Sequence, residues 1–240
     1  QAETGFSGRA FDPAAGVREA MTLARGAMRP VVISDTQDNP GAGGASDTMG
    51  MLRALVEAGA TKAAFGLVAD PEAAAAAHAA GEGATVGIAL GGRSGVPGDS
   101  PLRAAYTVET LSDGRFVAKG PYFGNAPLDL GPSACLRLGD VRIVVTTHKA
   151  QLADREMFRF VGITPEDQAI LVVKSSNHFR ADFEPIAQAI LVCTAPGPMP
   201  LSPAELPWCK LAPGMRLEPL GPPFEPGRQA AALPTRMQGA

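Results

Sequence analysis

Cysteine, histidine and tryptophan are all scarce in this sequence: 240 residues hold three Cys, three His and one Trp. Cys135, Cys193 and Cys209 are odd in number and far apart, and two of them lie in apolar runs, so they offer no disulfide framework. They read as small buried hydrophobes in a reducing compartment, and a cytoplasmic location is expected. His78, His148 and His178 are equally dispersed, and no CxxC or HxxxH spacing occurs. Any metal would have to be assembled from distant residues or from another polypeptide. No Lys/Arg cluster with interleaved aromatics is present, and 21 basic against 24 acidic residues leave a net charge of -3, which excludes a phosphate-backbone track and a nucleic-acid partner. Long apolar runs are also lacking: 169–173 and 189–192 fall far short of the roughly 20 residues that cross a bilayer, so no membrane association is expected. No signal-peptide pattern and no initiator Met open the chain, so a fragment or a processed product is the expectation.

What is present suits a soluble globular protein of one large or two modest domains, with 45% hydrophobic residues and mean hydropathy near zero. Asp12-Pro13 followed by Ala14, Val17, Ala20, Met21 and Leu23 reads as a capped amphipathic helix that ends before Pro30. The β-branched run 31–35 reads as a buried strand, and the polar Gly-rich loop 38–44 follows it. Ser46 or Asp47 then caps a helix with the face Met51, Leu52, Leu55 and Val56, stopped by Gly59. A strand over 63–68, an Ala-rich helix opened by Asp70-Pro71 and a strand over 84–90 complete a βαβαβ rhythm, which predicts parallel strands. Between Gly91 and Lys149 the turns and alternating segments change to an antiparallel pattern, with a hairpin at Gly139-Asp140. A helix over 154–160, a strand over 170–174, a helix over 179–189 delayed or kinked by Pro185, and a strand over 190–194 restore the parallel theme. The fold class expected is therefore α/β, a three-layer, mostly parallel sheet with an antiparallel β insertion. Beyond Ala195 the chain is Pro/Gly-rich coil, with Trp208 expected to anchor it by burying its ring.

Two segments carry most of the candidate chemistry. The loop Asp38-Asn39-Pro40-Gly41-Ala42-Gly43-Gly44 leaves a strand and enters a helix, where open α/β sheets bind ligands. Its glycines permit close approach, and free N–H groups there favour an anion such as a substrate carboxylate. It is neither a Walker loop nor a GxGxxG turn. The plainer alternative is a connector in which Asp38 caps a turn. The second segment is Lys174-Ser175-Ser176-Asn177-His178-Phe179-Arg180, also at a strand end. Lys174 and Arg180 can balance a carboxylate and Ser175 can donate to it. His178 can ligate a metal, transfer a proton or stabilise an oxyanion. The alternative is helix capping by the serines and Asn177, with His178 and Arg180 in water. Asp35, Asp47, Asp70, the His148-Lys149 pair and the Gly91 turn are lesser candidates for the same rim, each with an ordinary capping or turn role as the alternative, and His78 reads as a surface or packed histidine.

The segments VVISDTQDNPGAGGASDT, AAFGLVADPEAAAAAHAAGEGATVGIALGGRSG and LVVKSSNHFRADFEPIA resemble, in order, the C-terminal domain of the microcystinase C family of metallopeptidases. The resemblance runs from about Pro30 to Trp208, and the combination of DNPG, GGRSG and KSxxHFR is its specific part. The family has a longer Gly run and a Pro where this chain reads Gly41-Ala42-Gly43-Gly44-Ala45-Ser46. The resemblance implies a zinc-dependent hydrolase that cuts amide bonds in small or linear peptides, with a larger N-terminal domain that carries the zinc ligands. On that reading 1–29 is the end of a preceding domain or a linker helix, 30–208 is the C-terminal α/β domain and 209–240 is a Pro/Gly-rich tail. The chain would then supply Asp38, Asn39, Gly41, Gly43, Gly44, Lys174, Ser175 and Arg180 for substrate binding, His178 for catalysis and no metal ligand. Its partners would be the metal-binding N-terminal domain and a small peptide or amide substrate, with homo-oligomerisation left open. The rival class is a non-catalytic α/β module for small-molecule binding or assembly.

Overall fold

In the computed structural model, which describes residues 8–225, a two-residue strand β1 (Ala10–Phe11) leads into helix α1 (Pro13–Leu23). Asp12 starts that helix as expected: its carboxylate accepts the Ala15 N–H at 2.8 Å, and Pro13 has no N–H to leave unpaired. The five residues of β2 (Val31–Asp35) are all buried. Next come α2 (Gly50–Glu57), β3 (Ala63–Ala69), α3 (Pro71–Ala80) and β4 (Thr85–Leu90). Asp70 caps α3 through Ala73 N–H at 3.0 Å. Neither Ser46 nor Asp47 caps α2; Met49 is its first flanking residue, and Met49 N–H is satisfied from fifty residues away by Asp99 at 2.9 Å. The middle of the chain forms β5 (Leu102–Ser112), the short ribbon of β6 (Arg115–Val117) with β7 (Pro127–Asp129), then β8 (Ser133–Leu138) and β9 (Val141–Thr146). Leu138 and Val141 pair across the Gly139-Asp140 hairpin. The remainder is α4 (Glu156–Arg159), β10 (Ile170–Val173), α5 (Arg180–Phe183) and β11 (Ala189–Cys193). Pro185 ends α5 after a single turn, in a 3-10 segment, because it cannot supply the next helical N–H.

Nine strands form one mixed sheet in the order β1-β11-β2-β10-β3-β9-β8-β5-β4. The first six are mutually parallel, and β8, β5 and β4 continue antiparallel. The architecture is α/β, with a large, mostly parallel mixed sheet and a small separate antiparallel ribbon. One expectation is corrected. β4 does not continue the parallel series beside β3, because both edges of β3 are taken by β10 and β9; it pairs antiparallel with β5 at the far edge.

Alternation along the central strands divides the apolar residues between two faces. Val31, Ile33, Phe65 and Val172 pack with Val17 and Ala20 of α1, Met51, Leu52 and Leu55 of α2, and the alanines of α3. Val32, Ala64, Leu67, Leu171 and Val173 pack on the opposite side with Met157 and Phe158 of α4 and with Phe179 and Phe183. The Ala run of α3 thus serves as a thin, close-packed face, with Ala73, Ala74 and Ala77 buried.

The unit just described spans 10–199; the other comprises 8–9 and 200–225 among the described residues. In the latter, Ser202 caps a 3-10 turn (Pro203–Glu205), and Phe224 is buried. Trp208 does not bury its ring as expected: it is 37% exposed, and its indole N–H donates to Pro203 O at 2.6 Å within the same segment. The tail beyond residue 225 lies outside the described residues.

Gly16 lets α1 lie against β11, since a Cβ there would run into the Cys193 thiol and come within 3.3 Å of Phe11 Cβ. Helix propensity alone would make Gly16→Ala stabilising by about 1 kcal/mol. Overpacking against a buried strand reverses that sign, so the variant should lose about 1–3 kcal/mol in urea denaturation.

Candidate functional site

The centre of the site is a buried cation. Lys174 follows β10 and is fully buried, and its ammonium donates to Asp35 at 2.7 Å, Thr48 Oγ1 at 2.8 Å and Asp38 at 2.9 Å. An ammonium has three protons, and all three are used. The structure therefore gives Lys174 a different task from the substrate contact expected of it: it ties the ends of β2 and β10 to the loop between β2 and α2. Burial disfavours the charged lysine, but Asp35 and Asp38 outweigh that and hold its pKa above the ordinary value. Burial also opposes ionisation of Asp38, yet Lys174 and the N–H groups of Thr48 and Ser46 prevail and keep its carboxyl below the ordinary range. Asp35 goes the other way: burial dominates and pushes its carboxyl up, and its Oδ1 has no hydrogen-bond partner among the described residues.

Asp38 organises the glycine loop from inside. Its two oxygens accept Ser46 N–H and Thr48 N–H, each at 2.9 Å, and the Thr48 hydroxyl at 3.0 Å. Asn39 Oδ1 accepts Gly41 N–H at 2.9 Å, while the N–H groups of Ala42, Gly43 and Gly44 all return to carbonyls of Asn39 and Pro40. The amides expected to bind an anion are thus closed on the loop itself. Its glycines are required by close packing: a Cβ on Gly44 would lie 2.7 Å from Asp38 Oδ1, and one on Gly41 would strike Gln151 Oε1. Gly43 has φ 96°, the left-handed region that ends the 3-10 turn (Pro40–Ala42).

Hydrogen bonds join the loops expected on one rim. Asn39 Nδ2 donates to Ser176 Oγ at 3.0 Å, and Ser176 Oγ donates to Thr36 O. Asp47 accepts the N–H groups of Arg93 and Ser94, each at 2.8 Å, and its carbonyl accepts Gly92 N–H at 2.7 Å. Asp70, already the cap of α3, also accepts Gly91 N–H and the Arg93 guanidinium at 2.6 Å. Lys149, at the end of β9, reaches Gly44 O at 3.2 Å and is otherwise exposed. The 38–44 loop and the 174–180 segment therefore meet, and the Gly91 turn is joined to them through Asp47, which lies between the Ser46 and Thr48 held by Asp38. His78 and His148 take no part in the ring around His178: His78 Nε2 lies 3.0 Å from Ser133 O, and His148 stands exposed beside Gly131.

His178 is exposed, its ring stacked on Tyr122 with centroids 4.4 Å apart. Its Nδ1 lies against the amide of Gln151, 3.1 Å from Nε2 and 3.2 Å from Oε1. Gln151 Nε2 also donates to Ser175 Oγ at 2.7 Å, so Ser175 is a buried support. Arg180 opens α5, with its guanidinium 5.6 Å from the Phe179 ring and 3.9 Å from Glu184. Gln151 and Tyr122 escaped sequence reasoning, because each lies in an irregular segment and is brought in only by tertiary packing. Among the described residues, no three His, Cys, Asp or Glu side chains meet as a metal site.

Residues 33–210 match the model of the MlrC C-terminus family. The chain belongs to that family. Microcystinase C from Sphingomonas sp is 28% identical over 162 residues, which are 68% of this chain and 31% of that protein. The crystal structure of the "Putative metallopeptidase" of Mesorhizobium sp. BNC1 superposes with a TM-score of 0.75 at 28% identity, covering 88% of this chain and 42% of the other. The chain thus spans about a third of the curated relative it matches, and the region shared with the family includes every loop of the rim. No helix among the described residues is long and apolar enough to cross a membrane.

Removing Lys174 leaves two buried carboxyl groups without their cation, so Lys174→Met should destabilise the fold by about 3–5 kcal/mol in chemical denaturation. A simple rise in KM with unchanged stability would contradict this placement.

Proposed function

We propose that this chain is the substrate-side half of a zinc-dependent hydrolase that cleaves amide bonds in small or linear peptides, with the metal held by another domain of a longer protein. The observation that carries the proposal is the joining of the Asp38 loop, the Gly91 turn and the His178 segment into one rim, in a family whose named relatives are a microcystinase and a "Putative metallopeptidase". The relatives extend well beyond the matched region, which supports a further domain. Among the described residues no three His, Cys, Asp or Glu side chains meet, and the reading therefore assigns the metal to the other domain. The three unpaired cysteines support a reducing, cytoplasmic setting.

The chemistry assigned to this chain is positioning and proton handling. The closed glycine loop acts as a rigid wall rather than a set of donors. The positive charges left for a substrate carboxylate are Lys149, at the lip of that loop, and Arg180, at the start of α5. His178, an exposed residue whose Nδ1 faces Gln151, stabilises the oxyanion or protonates the leaving amine.

In the longer protein, His178→Ala should lower kcat by on the order of a hundredfold while metal content is retained. Lys149→Ala should act mainly on KM, as expected for binding shared by ground state and transition state. If His178→Ala leaves turnover intact, the rim is a binding surface without proton chemistry. Elemental analysis provides an independent check: zinc should accompany the longer protein and be absent from the 240-residue chain after incubation with excess zinc and desalting. One tightly held zinc per chain would overturn this division of labour and make His178 and Asp38 candidate ligands.

A further inference from the structure

The rim lies at the carboxyl ends of the parallel strands, and a second group of polar side chains gathers at the opposite end of the same sheet. A recess of about 430 Å³ opens there, a size typical of small-molecule sites, lined in part by Lys62, Glu109, Arg142, Thr164, Asp167 and Gln168. Lys62 immediately precedes β3, Arg142 is the second residue of β9 and Gln168 stands two residues before β10, so three neighbouring parallel strands begin at its wall. The recess holds donors and acceptors that do not meet one another. Arg142 donates from Nε to Glu109 at 2.7 Å, and Arg137 lies 2.7 Å from the other oxygen of that carboxylate. One negative charge thus serves two arginines, and among the described residues Arg142 hydrogen-bonds through Nε alone. The Lys62 ammonium has no ion-pair or hydrogen-bond partner among the described residues, and neither has the Asp167 carboxylate. Gln168 is 7% exposed; its Nε2 donates to Thr164 O at 3.0 Å, and its Oε1 has no hydrogen-bond partner among the described residues. The backbone of Lys62 adds an independent sign. Its φ is 48°, the left-handed region that strains a lysine and not a glycine. Its N–H donates to Asp140 at 2.8 Å and its carbonyl accepts Ala169 N–H at 2.7 Å, so the strained conformation is clamped from both sides without help from the side chain. A strained residue whose side chain supports nothing and lines a recess points to a role for that side chain.

We propose that this recess binds a small zwitterion, a free amino acid or short peptide, whose carboxylate meets Lys62 and Arg142 and whose ammonium meets Asp167 beside Gln168. A simple anion would satisfy the two cations, but Asp167 would repel it and the acceptors would stay unmatched. A simple amine has the converse fault. A zwitterion brings both charges at once, and each end exchanges water for a charged hydrogen bond. The site shares no residue with the rim, so it stands whether or not the hydrolase reading does.

The test titrates the 240-residue chain with each of the twenty amino acids and with alanylalanine, following backbone amide shifts by ¹H–¹⁵N NMR. At least one of these probes should bind with a dissociation constant of about 1 mM or tighter and move the amides of Lys62, Gly162 and Thr164. The N-acetyl and the carboxamide derivatives of that probe should each bind on the order of tenfold more weakly, because each lacks one charged hydrogen bond. Lys62→Met and Asp167→Asn should weaken binding by a similar factor. Lys62→Gly should do the same without lowering the midpoint of thermal unfolding, since glycine suits the left-handed backbone, which separates lost binding from lost folding. His178→Ala should leave the affinity unchanged. Absence of saturable shifts from every probe at roughly 10 mM, tenfold above that constant, overturns the proposal. Equal binding of the N-acetyl derivative overturns the zwitterion assignment. Shifts centred on Tyr122 and His178 that survive Lys62→Met place the binding at the rim instead, which overturns this site and leaves the hydrolase reading standing.

Discussion

The Lys174 ammonium, buried among Asp35, Asp38 and Thr48, is the constraint on which the rest of the rim depends. A lone charge in that position would be prohibitive, and a lone Asp38 nearly as costly; each is tolerable because the other is 2.9 Å away. The consequence is directional. Lys174 follows β10 and Asp35 ends β2, neighbouring parallel strands, so their pairing sets the point from which the glycine loop departs. Asp38 then holds Ser46 and Thr48, Asp47 between them holds the turn after β4, and Asp70 holds that turn from the other side. The loops after β2, β3, β4 and β10 are thereby linked through hydrogen bonds to acidic side chains, and the first of these is set by one lysine. An arginine could not replace it, because a planar fork does not present three converging protons to three close acceptors.

A second anchor acts on the other side of the rim. Arg155 bonds to Asp182 and Glu166, and Arg159 bonds to Glu156 and Glu166, a partly exposed network whose separate pairs each contribute little. Its value is positional. It joins the stretch after β9 to α5, and so places Gln151 at the His178 ring and Asp154 at Gly120, two residues before the Tyr122 that stacks on that ring. The aromatic residues of α5 and α4, Phe183 and Phe158, lie edge-to-face with centroids 6.1 Å apart beneath it and supply the apolar backing that the charged pairs lack.

Much of this architecture could be read from the sequence because local signals and tertiary needs agreed. Asp12-Pro13 and Asp70-Pro71 each mark a helix start, the apolar runs of β2, β3 and β10 can only be buried strands, and Gly139-Asp140 makes the hairpin. The misses share a cause. β4 follows α3 as a parallel strand would, and no local pattern records that the two places beside β3 are already filled by strands from much later in the chain. Asp47 has the composition of a helix cap, yet Asp99 does that work at Met49, and Asp47 serves a turn 46 residues away. Lys174 illustrates the same limit at the site. Its proximity to His178 and Arg180 in sequence suggested a shared exposed role, but residues adjacent at a strand end point in different directions, and this one points inward. Gln151 and Tyr122 carried no signal at all, since a glutamine or tyrosine in a loop acquires a role only from what the fold sets beside it.

The closure of the glycine loop on itself changes what such a rim can contribute to catalysis. Had its amides been free, they would have been donors waiting for an anion, and their energy would have gone into holding substrate and transition state alike. With those amides satisfied by Asn39 and Pro40, the loop is set before anything binds, and little ordering is left to offset on association. The solvent-facing side chains with hydrogen-bonding capacity to spare are held by others: the His178 ring against Gln151 and Tyr122, the ammonium of Lys149 at Gly44, and the guanidinium of Arg180 at the head of α5. A surface whose backbone is closed and whose few free polar atoms are fixed from behind is built to place a reacting group within a narrow range of positions. That requirement is stricter for proton transfer than for binding alone, since the donor and acceptor must approach to hydrogen-bond distance at the moment the bond breaks. The rigidity of the rim therefore weighs on the side of chemistry, and it accounts for why so many buried acidic groups are committed to holding loops rather than to meeting a ligand.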